Sequence, residues 1–209
     1  MFWILRGLKK GIMTTRYPDE EPSEEEVPNI GLPKPVKARN GRCPNSAIDG
    51  DVDPFKCIFC GRCERFGYKR SREVEIAEVR RELPFKRSVH IFPVDVGSCN
   101  ACNLELENLN DPYYDFHRLG FFFTPTPRHA DVMVVMGSPT ERMVEPMLKA
   151  YEAMPEPKIV IALGTCACGG FIGNGVEEYI NVDVKIAGCP PPPIAILYGL
   201  LKACGRWRR

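Results

Sequence analysis

Three apolar runs, "DVMVVMG" (131–137), "KIVIALG" (158–164) and "VDVKIAG" (182–188), each close on a glycine. "HIFPVDVG" (90–97) ends the same way, "FFFTPTP" (121–127) adds a further run, and helical patterns lie between them. In "PTERMVEPMLKAYEAM", for example, Met143, Met147 and Tyr151 share a face. Near-continuous apolar strands alternating with helices predict an α/β fold, a parallel sheet covered by helices on both faces. At 209 residues the chain has length for one such domain and something smaller.

Function in such sheets gathers at the loops beyond the carboxyl ends of the strands. Five of the ten cysteines stand there: Cys99 and Cys102 after the first strand, Cys166 and Cys168 after "IALG", Cys189 after "KIAG". In a chain with no recognisable secretory signal, so many cysteines read as metal ligands rather than disulfides. A [4Fe–4S] cube needs four thiolates, one per iron. Cys99 and Cys102 precede or open a helix, where free N–H groups favour thiolate. Of the "GTCACGG" pair, Cys166, directly after "GT", is taken as the ligand, and Cys189 completes the set. A structural zinc site or buried free thiols are the alternatives, although zinc usually takes paired C-x2-C knuckles.

The amino-terminal half holds a second group. "RCPNSAIDGDVDPFKCIFCGRC" (42–63) places Cys43-Pro44 ahead of a C-x2-C-x2-C triplet, Cys57, Cys60 and Cys63. A bacterial ferredoxin run ends on its Cys-Pro, and in two-cluster proteins that last cysteine ligates the other cluster. The Cys-Pro of a first run therefore partners the triplet of a second. Cys43, Cys57, Cys60 and Cys63 make one complete [4Fe–4S] set, with zinc again the alternative. Cys168 and Cys204 are left over, and Cys204 in "GLLKACGRW" reads as a small buried hydrophobe.

As a helix, "MFWILRGLKKGIM" puts Phe2, Leu5 and Leu8 or Ile12 on one face and Arg6, Lys9 and Lys10 elsewhere. That fits an interfacial helix on a membrane or partner subunit, or a frayed terminus. It lacks the apolar length of a signal h-region or a membrane span. Residues 14–40, acidic and proline-rich, read as an extended arm that needs something to lie against. "SREVEIAEVRRELPFKRS" (71–88) reads as a charged, mostly helical linker ending before Pro84. The division expected is 1–38 for helix and arm, 39–87 for the cysteine module and linker helix, and 88–209 for the sheet domain. The net charge of +1, from 28 basic and 27 acidic residues, gives no bulk signal for nucleic acid.

"VGSCNACNLELE", "TPRHADVMVVMG", "ALGTCACGG" and "AGCPPPPIAILYGLL" closely resemble the small subunit of membrane-bound, energy-converting [NiFe] hydrogenases and its relative in respiratory complex I. The resemblance implies a flavodoxin-like domain binding one proximal [4Fe–4S] cluster, with ligands at the positions of Cys99, Cys102, Cys166 and Cys189. A large subunit holding the catalytic metal would sit beside it. Complex I carries adjacent cysteines at the first pair, whereas "CNAC" has the hydrogenase-type spacing, which weighs against quinone reduction. "MFWILRGLKKGIMTTRYP", "CPNSAI" and "CIFCGRC" resemble the ferredoxin-like subunit of the same assemblies, the first its membrane-apposed start. The other four cluster cysteines of that subunit are missing. A truncated, ferredoxin-like single-cluster module fused to the proximal-cluster subunit is implied.

Glu105 matches a family glutamate near the large-subunit interface. It is either a proton relay, if burial raises its pKa, or a carboxylate favoured by the helix dipole. Arg128 and His129, in "PRHAD", match the loop before the third strand. Arg128 would bond cluster sulfurs or a facing subunit, or form a structural salt bridge, and His129 is a loop histidine.

The expectation is an electron-transfer subunit with two [4Fe–4S] clusters, at the cytoplasmic face of the cell membrane. A ferredoxin-type cluster subunit or soluble ferredoxin would supply electrons, and a [NiFe]-hydrogenase-like large subunit would reduce protons to H2. Membrane-arm subunits would pump ions. No residue group in this chain suits bond-making chemistry of its own. Rival readings are the equivalent subunit of a sulfane sulfur or quinone reductase, or a zinc-stabilised assembly scaffold.

Overall fold

A computed structural model describes residues 2–11, 13–21, 31–37, 41–74, 76–84 and 87–207. Its strands are β1 (Pro33–Pro35), β2 (Ile48–Asp49), β3 (Asp51–Val52), β4 (Tyr68–Arg70), β5 (Ala77–Val79), β6 (Val89–Asp95), β7 (Phe121–Phe123), β8 (Val132–Met136), β9 (Ile159–Leu163) and β10 (Val184–Ile186). The α-helices are α1 (Phe2–Lys10), α2 (Ala101–Glu107), α3 (Glu141–Ala153), α4 (Gly164–Ala167) and α5 (Pro193–Ala203).

Six strands form one sheet in the order β5-β10-β9-β8-β6-β7. All its pairs are parallel except β5 with β10 at one edge. Every residue of β8 and β9 is buried, as a strand covered on both faces requires. Their side chains alternate between two cores. Val132, Val134, Met136, Ile159, Ile161 and Leu163 join Leu106 of α2 and the apolar residues of α5 on one face. Met133, Val135, Val160 and Ala162 meet Met147 of α3 on the other, with Met143 and Tyr151 packed alongside. This is the mostly parallel, helix-flanked sheet of a flavodoxin-like fold. Pro193 opens α5, whose missing N–H costs nothing in a first turn. Cys204, just after this helix, is buried in the first core, as a small hydrophobe would be.

Two smaller strand pairs hold the cysteine module. β1 pairs antiparallel with β4, and β2 with β3 around Gly50. The Gly31 and Leu32 N–H groups donate to Ser71 and Glu73. Residues 31–35 of the arm thus pair with the cysteine module.

The helical linker expected over 71–88 is not found in its described residues. Residues 77–79 are instead the edge strand β5. The Arg80 N–H donates to the Asp183 carbonyl, and Leu83, buried, donates to Ala203. The Arg81 guanidinium is 2.9 Å from the buried Asp183 carboxylate. The physical reason lies in "EVEIAEV" itself, which alternates charged and apolar residues with a period near two.

The arm lies partly against its own chain. Tyr17 is 1 % exposed and packs 5.4 Å from Trp207, which meets Tyr198 edge-on. The Thr15 N–H donates to Tyr113 at 2.7 Å. Residues 22–30 and 38–40 of the arm, and Ile12 of the amino-terminal stretch, lie outside the described residues. α1 forms where the sequence places it and buries none of its side chains, with Phe2, Trp3 and Leu8 at least three-quarters exposed. Among the described residues, no helix is long and apolar enough to cross a membrane.

Candidate metal centres

β6 ends on Asp95, and its carboxylate organises the loop that follows. It accepts from the Gly97 and Ser98 N–H groups (2.9 and 2.8 Å), the Ser98 hydroxyl (2.7 Å) and the Asn103 amide (2.5 Å). Burial opposes ionisation here, but those donors outweigh it and hold the carboxyl below its ordinary value. Cys99 lies in this loop and Cys102 in the first turn of α2, after Asn100 in a left-handed conformation.

Gly164, with φ +86°, directly follows β9, and a Cβ there would stand 2.6 Å from the Cys102 Sγ. The run "KIVIALG" closes on glycine because the Cys102 thiol, from the first turn of α2, occupies that space. Cys166 follows in α4, and Cys189 follows β10. Burial pushes the Cys102 thiol up to about 12, and Cys189, Cys166 and Cys99 push it the same way. Burial also raises Cys189, with Cys166 and Cys99 adding to the shift. Three strand ends thus bring Cys99, Cys102, Cys166 and Cys189 together as electrostatic neighbours.

Cys168 is placed differently. Its thiol is enclosed under the strand ends, 3.6 Å from the Ala162 carbonyl and 4.0 Å from that of Ile186. Burial raises it to about 12, with Lys185 pulling the other way and Cys102 adding to the rise.

In the amino-terminal module, Cys43, Cys57, Cys60 and Cys63 line one cavity of about 430 Å³ together with Ile48 and Phe66. Cys57 is buried, which pushes its thiol up to about 11. The Phe59 N–H, 3.4 Å away, opposes this, while Cys63, Cys43 and Cys60 add to it. Among the described residues no three His, Cys, Asp or Glu side chains close on a single-ion position. Both donor sets, four thiols each, fit the ligand demand of a [4Fe–4S] cube, and the amino-terminal cavity has room for a polynuclear core.

Glu105 is half-buried and lines a cleft of about 280 Å³ with Phe59, Ile76 and Cys189. Arg128 and His129 lie in a short turn, Pro127–His129, before the amino end of β8, away from the thiols. Both are exposed. No salt bridge is found for Arg128 among the described residues.

Sequence reasoning missed three features. Asp95 carries a local signal, a strand-end carboxylate four residues before Cys99. Thr165 and Asn45, which join the two cysteine regions, carry none. The third is charge: residues 31–72 hold ten Lys or Arg against four Asp or Glu, hidden inside a near-neutral total. Lys37, Arg42, Arg62, Arg65 and Lys69 are exposed and have no carboxylate partner among the described residues.

Residues 99–203 match the family described as NADH ubiquinone oxidoreductase, 20 Kd subunit. The chain is 40 % identical over 139 residues to formate hydrogenlyase subunit 7 of Escherichia coli, covering 62 % of this chain and 54 % of that one. It therefore spans about half the length of that relative. The probable membrane-bound hydrogenase subunit mbhJ of Pyrococcus furiosus is 42 % identical over 124 residues, 56 % of this chain and 74 % of that one. Among solved structures, a chain of the membrane-bound sulfane sulfur reductase, an archaeal respiratory membrane complex, aligns with a TM-score of 0.51. Identity is 33 %, covering 57 % of this chain and 70 % of that one.

Proposed function

The chain belongs to the family of the 20 Kd subunit of NADH ubiquinone oxidoreductase, and from that premise we propose that it is the electron-transfer subunit of a membrane-bound hydrogenase complex. The observation that carries the reading is the meeting of four thiols from three separate strand ends, with a second four-thiol cavity in the same chain. Cys99, Cys102, Cys166 and Cys189 would hold one [4Fe–4S] cluster, and Cys43, Cys57, Cys60 and Cys63 the other. Each cluster supplies a one-electron carrier when bound.

The residues around the two sets divide the work. The unpaired Arg42 and Arg62 line the cavity with Cys43, Cys60 and Cys63. With Lys37, Arg65 and Lys69 nearby in the module, they favour a negatively charged centre and steer an acidic carrier such as a ferredoxin towards exposed Cys60. At the other set, Leu104, Phe171 and Ile172 are exposed apolar side chains, and the Ile172 N–H bonds the Cys166 sulfur. They offer a contact face for a [NiFe]-hydrogenase-like large subunit, which would reduce protons to H2. Glu105, which lines a cleft with Cys189, would relay protons along that face. α1 has Arg6, Lys9 and Lys10 and no acid among exposed apolar side chains. It suits the cytoplasmic surface of the membrane next to ion-pumping subunits.

The likeness to the sulfane sulfur reductase chain supports a second reading, in which the large subunit reduces sulfur rather than protons. Metal analysis of the native complex decides between them. Nickel in the co-purified large subunit is expected, and a nickel-free large subunit would transfer the assignment to the sulfur reductase.

A further inference from the structure

The loops that carry the two thiol sets meet along a buried seam. Thr165, immediately before Cys166, is 1 % exposed. Its Oγ1 lies 3.1 Å from the carbonyl oxygen of Cys57 and 3.0 Å from that of Gly188. Its N–H also donates to Gly188 at 2.8 Å. Gly188 precedes Cys189, so one hydroxyl stands between a cysteine of the amino-terminal set and the loops carrying two cysteines of the other. A second contact runs beside it. The Asn45 amide, two residues after Cys43, donates to the Gly170 carbonyl at 2.5 Å and to the Lys56 carbonyl. The Gly170 N–H returns to the Thr165 carbonyl at 2.9 Å. Gly170 has no room for a Cβ, because the Phe55 carbonyl and Lys56 backbone fill that space.

We propose that Thr165 is a positioning residue, its hydroxyl tying the Cys57 loop to the Cys166 and Cys189 loops so that the two thiol sets keep one fixed separation. A hydroxyl has a single proton, and the Gly188 carbonyl already accepts the Thr165 N–H, so the hydroxyl is left to donate to the Cys57 carbonyl and Thr165 joins the loops through its hydroxyl and its N–H together. Valine matches its shape but offers no hydroxyl donor, leaving the buried Cys57 carbonyl without this partner while the Gly188 carbonyl keeps the backbone N–H. Asn45 holds the same seam from the Cys43 side. The role rests on the electron-transfer reading above, since a fixed separation matters where electrons pass between centres.

The test uses the full chain, purified anaerobically, with Thr165→Val, Thr165→Ser and Asn45→Ala beside the wild type. Two readouts are taken. One is deuterium uptake of segments 53–60 and 186–190. The other is the magnetic interaction between the two reduced clusters by paramagnetic resonance. The valine variant is expected to keep its iron, exchange both segments roughly tenfold faster or more, and show a weakened or broadened interaction. Serine should restore both. Should valine lose the proximal iron outright, Asn45→Ala reads the seam from the other side without touching the strand end. Unchanged exchange and unchanged magnetic interaction in valine and alanine variants would overturn the proposal. Zinc or missing iron in the wild type would instead sink the electron-transfer reading, and the exchange arm would still report on the seam.

Discussion

Replacing Gly164 with alanine should empty one centre and spare the other. Gly164 has φ +86°, and the new Cβ would lie 2.6 Å from the Cys102 Sγ, with the Gly188 carbonyl at 3.4 Å. An L-residue in that backbone region costs about 1–2 kcal/mol. Ordinary van der Waals contact needs roughly 3.5–4.0 Å, so the thiol must retreat by about 1 Å. Overpacking of this kind adds about 1–3 kcal/mol, for a total near 2–5 kcal/mol. The displaced thiol is one of four that must meet, and nothing in the amino-terminal cavity is touched. The assay is iron per chain after anaerobic purification, with a thermal melt in parallel. Iron is expected to fall from about eight to about four, with the remaining signal that of the amino-terminal cluster. A variant that keeps all its iron and melts with the wild type would refute the account of why glycine follows β9.

Three further outcomes are expected. Cys168→Ser should retain the proximal cluster and Cys166→Ser should lose or convert it, and the reverse pattern of iron content would reassign the ligand. Tyr17→Ala should lower stability by about 3–5 kcal/mol, because the ring is buried against Trp207; an unshifted melt would mean the arm is not anchored there. The depressed carboxyl of Asp95 contributes stability that is fully present above the ordinary carboxylate value of about 3.9 and is lost as pH falls through its lower folded value. Asp95→Asn should therefore melt earlier at neutral pH and lose less on acidification below pH 4, and equal acid losses in both proteins would contradict this.

The sheet was legible because its signals are local. β8 and β9 are unbroken apolar runs, and α5 follows a proline run and is buried along almost its whole length. The cysteines at the strand ends were legible for the same reason, since a parallel sheet delivers its carboxyl-terminal loops to one edge. β5 was misread because "EVEIAEV" is rich in helix-tolerant glutamate, and the period of two is carried by few apolar residues. Its place is settled by pairing with β10, over 100 residues later. Tyr17 has no neighbouring pattern to mark it, and its slot is made by Trp207 and Tyr198 at the far end of the chain. The Thr165–Cys57 contact likewise spans 108 residues. Net charge concealed the basic module because the rest of the chain is acidic.

The measurement that bears most directly on the central claim is the metal content and redox spectrum of the intact chain purified without oxygen. Two cubes predict about eight irons and eight labile sulfides per chain, and two paramagnetic centres on reduction. About four irons would show that only one of the thiol sets is loaded. Stoichiometric zinc with no signal on reduction would contradict the electron-transfer account altogether.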